Sequence, residues 1–360
     1  MEIIHQMIFY YKHEKFGRFR TPGLLADAIG YENLNYENLC LTKVSLGDTI
    51  DNFQFKRKKH IQIDELYRTR ITKLRRTYSH LRLWHSGGKD AEQALLNAEI
   101  NDINFDEIVT INKDPYYERP EVSKIRVPVH YLKNNLWKEL KISDDIREKI
   151  FSSKDWWNYT IDYSVNGWMI FYNDFGLDTF KKSLDIFGNV QPIFFYQNNK
   201  WHFFFDHESL SSLVHINNVG NKKYYSQGEY FNLCEDMPEL LEAYTNRIVD
   251  QLENQNLYLS LSEMTKFIKT KNNQRFFKEL LPEYQAIKLL QETDKVIKNK
   301  PYQNEPWGKI HQSFKEQMVL QSVIDKNPNW FKIYKTKTPW DMINKLHNWG
   351  TPITKFYVLE

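Results

Sequence analysis

The stretch Leu81-Arg82-Leu83-Trp84-His85-Ser86-Gly87-Gly88-Lys89-Asp90-Ala91-Glu92-Gln93-Ala94-Leu95-Leu96 decides how this chain is read. A short apolar run meets Ser-Gly-Gly, and a helical pattern begins at once. "HLRLW" (80–84) reads as a strand, and Lys89 to about Glu99 as a helix. A glycine pair after a strand lets the backbone turn sharply, and it lets N–H groups approach a ligand that a Cβ would hold away. Those N–H groups stand at the positive end of the following helix, where anions are favoured. Ser86 adds a hydroxyl donor, so the loop has the outline of an anion-binding nest. It is neither the Gly-x-x-x-x-Gly-Lys-Ser/Thr loop nor the Gly-x-Gly-x-x-Gly fingerprint. Ser-Gly-Gly also occurs in many plain exposed turns, and the loop residues alone leave both readings open.

Upstream, Asp64 to Tyr78 is helical in pattern, with Leu66, Tyr67, Ile71 and Leu74 set among Arg and Lys. Downstream, "FDEIVTINK" (105–113) predicts a second strand, and the alternation of "KIRVPVHYL" (124–132) a third, although Pro128 suits a central strand poorly. Strand, helix and strand within about 30 residues form the right-handed βαβ unit of a parallel sheet. In "PIFFYQNNKWHFFFDHE" (192–208) two aromatic runs flank Asn198-Asn199-Lys200, a hairpin whose first Asn suits positive φ. Helical patterns follow at about 237–255, 261–280 and 282–298, and then a tail broken by Pro301, Pro306, Pro328 and Pro339. The expected fold class is α/β. An N-terminal extension (1–60) precedes a Rossmann-like parallel-sheet domain (61–235), and a helical C-terminal appendage (236–360) follows.

Composition bounds the alternatives. A chain of 360 residues forms one large domain or two ordinary ones, and 41% hydrophobic with 15% aromatic residues argues against disorder despite a mean hydropathy of −0.65. A net charge of +3 is too near balance to imply nucleic-acid binding, and Lys56-Arg57-Lys58-Lys59 reads as a solvated segment rather than a phosphate patch. Two cysteines, Cys40 and Cys234, with no Cys-x-x-Cys pair, supply neither a disulfide framework nor a zinc or iron–sulfur signature. They are expected to be reduced core thiols. Met1-Glu2-Ile3-Ile4-His5-Gln6 lacks the features of a signal peptide, and no apolar run approaches the ~20 residues of a membrane span. The expectation is a soluble, cytoplasmic protein without membrane partners.

Strand, Ser-Gly-Gly-x-Asp and amphipathic helix together resemble the PP-loop of the ATP pyrophosphatases, whose loop reads Ser-Gly-Gly-x-Asp-Ser. Ser86, Gly87, Gly88, Lys89 (the variable position) and Asp90 match, and Ala91 stands where the family has Ser. The longer stretch "LYRTRITKLRRTYSHLRLWHSGGKDAEQALL" also looks like the asparagine-synthetase-like proteins of bacteriophages, which would place the chain in a host cytoplasm. The resemblance is strong over 64–113, weak over 186–245 and absent at both ends. It implies an adenine nucleotide alpha hydrolase-like fold with ATP and Mg²⁺ as cofactors. It further implies transfer of AMP to a carboxyl or carbonyl oxygen, release of pyrophosphate, and displacement of AMP by a nitrogen nucleophile. On that likeness Ser86, Gly87, Gly88, Lys89 and Asp90 would hold the nucleotide's phosphates. Asp90 and the strand-terminal Asp206 would be catalytic, and Thr110 to Lys113 would lie by the nucleotide.

Two departures bear on activity. Ala91 removes a hydroxyl that would donate to pyrophosphate, and Val190-Gln191-Pro192 stands where relatives tend to carry Asp-Lys-Pro, which removes a positive charge. The alternative to an adenylating enzyme is therefore a catalytically degenerate PP-loop protein that binds nucleotide or a protein partner. A weaker third option is a nucleic-acid accessory using Lys56–Lys59. There is no Cys at position 2 to act as a glutaminase nucleophile, so ammonia would come free or from a partner chain. His202, Asp206, His207 and Glu208 invite a metal reading, but 202 and 206 share a strand face from which 207 points away, and no metal site is assigned. Trp156-Trp157, Trp330, Trp340 and Trp349 are expected in the core rather than as base-stacking platforms, and His85 as a packed strand residue whose closeness to Ser86 merits a test.

Overall fold

Five parallel strands form the central sheet of the protein, with residues 81–84, 107–110, 183–187 and 228–230 buried and Trp137 to Glu139 at one edge only half-buried. In this computed structural model the described residues are 10–19, 28, 42–85, 87–112, 128–141, 182–206, 209–210, 226–271, 277, 280–293 and 353–360. The central sheet consists of β4 (His80–Trp84), β5 (Glu107–Asn112), β6 (Trp137–Lys141), β7 (Ser183–Phe187) and β10 (Ser226–Tyr230), every neighbouring pair parallel. Across the sheet the order is β10-β7-β4-β5-β6. The first of these five strands in chain order, β4, thus lies in the middle. The next two extend to one side, and the last two to the other. The Leu81, Leu83, Ile108, Leu184 and Ile186 side chains have no exposed surface, as a parallel sheet covered on both faces requires. The expected α/β architecture is present, and the sheet is compatible with a Rossmann-like core.

Charged residues interrupt that apolar layer, and they face one another. Register sets Arg82 opposite both Glu107 and Asp185. The Arg82 guanidinium lies 2.7 Å from Glu107 and 3.4 Å from Asp185, with all three buried. The helix α2 (Asp64–Thr77) buries Tyr67, Arg70, Ile71 and Leu74 at helical spacing, with acids in its first turn and Arg75 and Arg76 in its last, as the helix dipole favours. Its Arg70 reaches Glu229 of β10 at 2.5 Å. The helix α3 (Lys89–Ile100) packs beside α2 with Ala91, Ala94, Leu95 and Ala98 inward. Full burial of a side chain the size of Leu95 stabilises by about 1.5–3 kcal/mol relative to exposure.

The third parallel strand is not where the alternation places it. Val129–Lys133 is a short helix, α4, with Pro128 at its N-cap, and the strand is Trp137–Lys141, while 124–127 lie outside the described residues. Proline lacks an N–H and has a φ suited to opening a helix. Pro128 O accepts from Tyr131 N at 3.0 Å, and only Tyr131 of this segment is buried.

The expected hairpin forms from β8 (Ile193–Gln197) and β9 (Lys200–Phe204), antiparallel, with both Asn198 (φ 51°) and Asn199 (φ 57°) in the left-handed region. A third strand, β11 (Tyr357–Leu359), joins β9 from the far end of the chain. In the first 60 residues, β1 (Tyr10–His13), β2 (Gly17–Phe19) and β3 (Thr42–Ser45) form a small antiparallel sheet, followed by the helix α1 (Asp48–Asn52). Of the region from 236 onward, α5 (Pro238–Asn254), α6 (Leu261–Lys271) and α7 (Pro282–Thr293) are described, and Leu240, Tyr244, Ile248, Met264 and Tyr284 lie in the common core. Among the described residues no helix is long and apolar enough to cross a membrane.

Candidate functional site

The carboxyl ends of β4 and β7 lie side by side, with the Trp84 and Phe187 rings stacked at 6.3 Å. The chain order reverses between these two strands. In open α/β sheets a ligand crevice opens at that point, because the connections leave the carboxyl edge in opposite directions. Two loops leave this edge: His85 to Gly88 after β4, and Gly188 to Pro192 after β7. Gly87 has φ +84°, which a side chain would strain, and Gly88 is the N-cap of α3.

His85 holds the loop together from inside. Its N–H donates to Val109 O at 2.8 Å, and its carbonyl accepts from Thr110 Oγ1 at 3.0 Å. Gly87 N–H donates to His85 Nδ1 at 2.9 Å. An N–H can point only at a lone pair, so Nδ1 is unprotonated and the ring hydrogen sits on Nε2. That hydrogen faces Glu92 Oε2 at 3.0 Å, and both side chains are fully buried.

The first turn of α3 is fixed from two other directions. Tyr284 of α7 donates its hydroxyl to Asp90 Oδ1 at 2.8 Å. Burial, and then the nearby Asp90 charge, push the Tyr284 phenol well above its ordinary pKa, which keeps it a neutral donor. Asn189 Nδ2 donates to the Tyr284 oxygen at 3.3 Å, and the Tyr244 hydroxyl lies 3.4 Å from it. On the β7 side, a Cβ on Gly188 would stand 2.6 Å from Ala91 N and 2.7 Å from the Asp90 carbonyl carbon. Val190 and Asn232 exchange two hydrogen bonds, 2.8 and 3.0 Å, which fix the second loop.

The residues expected at the site distribute as follows. Gly87, Gly88, Lys89 and Asp90 are together at the carboxyl edge, the first buried and the others half-buried, while Ser86 lies outside the described residues. Ala91 is 5% exposed, and Gln191 is buried in the adjoining loop. Thr110 is buried too, linking His85 to Trp137 Nε1 at 3.1 Å. Asp206 follows β9 on the antiparallel sheet, where it accepts from Ser209 N at 2.9 Å and Ser209 Oγ at 2.7 Å, a turn-capping role. His202 stacks on Phe195 and bonds Gln197 O. Lys113, His207, Glu208, Cys40 and the five tryptophans named above lie outside the described residues. Cys234 is a free, buried thiol, and burial pushes it up to about 12.

The segment Lys56–Lys59 packs along α5. Arg57 bonds Asp250 at 2.5 Å and Glu253 at 2.9 Å, Lys58 pairs with Glu242, and Lys59 lies 3.8 Å from Glu253. Arg57, Lys58 and Lys59 thus each have an acidic partner on α5. Glu92, Gly188, Asn189, Asn232 and Tyr284 were not foreseen. Only Glu92, a buried-face acid on the loop's own helix, carried a local signal.

The chain matches no protein-family model, no curated protein and no solved structure.

Proposed function

We propose that the protein binds ATP through its triphosphate on the loop 85–91 and activates a carboxyl or carbonyl oxygen as its adenylate, releasing pyrophosphate ahead of C–N bond formation. The observation that carries the reading is the position of Gly87–Asp90, at the start of a helix on the carboxyl edge and at the point where the strand order reverses. The likeness of Ser86–Asp90 to the PP-loop supplies the chemistry. The substrate oxygen attacks the α-phosphorus, the bond to the bridging oxygen breaks, and pyrophosphate carries away the electron pair. Backbone N–H groups of the loop would stabilise that growing charge. Among the described residues no three His, Cys, Asp or Glu side chains form a metal cage. Mg²⁺ would therefore arrive on the nucleotide's phosphates, as is usual for this ion, and help neutralise the leaving group.

A second reading is binding without turnover. It is favoured by the buried Ala91 in place of a hydroxyl, and by a loop whose Gly87 N–H and Asp90 carboxylate already have partners inside the protein. Incubation with Mg·ATP and a panel of carboxylic acids separates the two. AMP and pyrophosphate in equal amounts support adenylation, and an ATP-induced rise in Tm without them supports the second reading. Neither result with any acid removes both. Ala91→Ser should tighten ATP binding by one to two orders of magnitude, the worth of a hydrogen bond to a charged group at about 1.5–3 kcal/mol.

A further inference from the structure

The His85–Gly87 hydrogen bond sets a condition on any anion that uses the loop. The inference rests on the phosphate-loop reading above. Gly87 N–H is the donor that the glycine's backbone conformation brings to the loop, and at 2.9 Å it is engaged by the imidazole Nδ1. An incoming anion oxygen must take that N–H away from a buried acceptor, and an acceptor left empty in the interior is costly. One change relieves the cost: a proton on Nδ1. The imidazolium then has an N–H at each nitrogen. One still faces Glu92 Oε2 at 3.0 Å, now as an ion pair. The other faces the Gly87 N–H, donor against donor, and an anion oxygen drawn between them satisfies both.

We propose that His85 is a positioning residue for the loop: neutral, it withholds the Gly87 N–H, and a phosphate-type anion gains that N–H with uptake of one proton by the imidazole. No bond between heavy atoms changes. A solvent proton moves to Nδ1, and one hydrogen bond within the loop is exchanged for two to the anion. The surroundings of the ring suit this. From α3 it faces the Glu92 carboxyl, with Lys89 and Asp90 half-buried in the same first turn. From β5 the Val109 carbonyl and the Thr110 hydroxyl bond the His85 backbone, not its ring, and neither titrates. Glu92 thus plays the part that a carboxylate behind a histidine often plays, fixing the tautomer and stabilising the cation when it forms.

The test is calorimetric titration of the whole protein with pyrophosphate and with sulfate, in two buffers of different ionisation enthalpy, from about pH 5 to 8. Sulfate keeps a constant charge over this range, so its pH dependence belongs to the protein. Net uptake of at most one proton per anion is expected, with sulfate affinity rising as pH falls. His85→Gln keeps an oxygen that accepts the Gly87 N–H but cannot titrate, so its sulfate affinity should be flat with pH and its proton uptake nil. Sulfate binding by the unaltered protein without proton uptake, or a pH dependence retained in His85→Gln, overturns the proposal and leaves the loop reading standing. Absence of binding by either anion at every pH overturns the loop reading and this inference together. Nitrogen NMR of the ligand-free protein is an independent check: hydrogen on Nε2 is required, and hydrogen on Nδ1 alone overturns the inference whatever the anions do.

Discussion

Tyr284 and Asp90, 194 positions apart in sequence, share a 2.8 Å hydrogen bond that ties the helix α7 to the first turn of the loop helix. The phenol is wholly buried, while the carboxylate keeps partial access to solvent. Tyr284→Phe removes the donor without changing the ring's packing. A hydrogen bond to a charged group contributes about 1.5–3 kcal/mol, and water reaching Asp90 recovers part of it, so a loss of about 1–2 kcal/mol is expected. The Asp90 charge, no longer damped by the phenol, should repel phosphate more strongly. Pyrophosphate affinity should fall at neutral pH. Urea unfolding and calorimetry read the two effects, and unchanged values for both would show that the bond contributes nothing.

Gly188 and Gly17 offer a paired test of why a glycine is needed. Gly17 has φ +94° with open space where a Cβ would go, so Gly17→Ala should cost about 1 kcal/mol of backbone strain and leave the site alone. At Gly188 the difficulty is contact. The added carbon would meet Ala91 N at 2.6 Å and the Asp90 carbonyl carbon at 2.7 Å, both backbone atoms that cannot swing aside. Gly188→Ala should cost about 1–3 kcal/mol by overpacking and also weaken pyrophosphate binding, because relief requires the turn at Asp90–Ala91 to move. If Gly188→Ala bound pyrophosphate normally, the two loops would not form one site.

How legible this was depended on the range of the forces involved. β4, α3, β5, α2 and the β8–β9 hairpin were readable because each carries its own signal: apolar periodicity, a Gly-Gly turn or an Asn-Asn turn. β7 and β10 were not. "SLDIF" has an aspartate at its middle and "SQGEY" has little β-forming character, and the partners of their acids, Arg82 and Arg70, are distant in sequence. The third strand was misplaced because alternation over 124–132 looks like a strand until Pro128 opens a helix instead. Within the site, the loop was legible and its supports were not. No local pattern announces that Tyr284, Asn189 and Gly188 converge on Asp90, since those contacts exist only after the chain has closed. β11 shows the same limit, a strand of three residues that forms by pairing with β9.

The buried Arg82–Glu107 pair should make stability depend on acid in a specific direction. Burial alone would push the Glu107 carboxyl up, but hydrogen bonds from His80 and Arg82 and the Arg82 charge outweigh it and hold it below its ordinary 4.5. A carboxyl that is more acidic folded than unfolded adds stability fully above the ordinary value, and that stability is lost as pH falls through the lower folded value. Glu107→Gln removes the charge and leaves Arg82 with Asp185, 3.4 Å away, as its remaining carboxylate. Breaking a buried pair costs about 3–5 kcal/mol, and the surviving partner should keep the loss near or below the lower end of that range at neutral pH. The difference between the unaltered protein and Glu107→Gln should therefore be largest at neutral pH and shrink below about pH 4.5, where the native carboxylate gives up its own advantage. Urea unfolding across that range measures it directly. A difference that stayed constant into acid would mean that shape at position 107, and not charge, is what Arg82 requires.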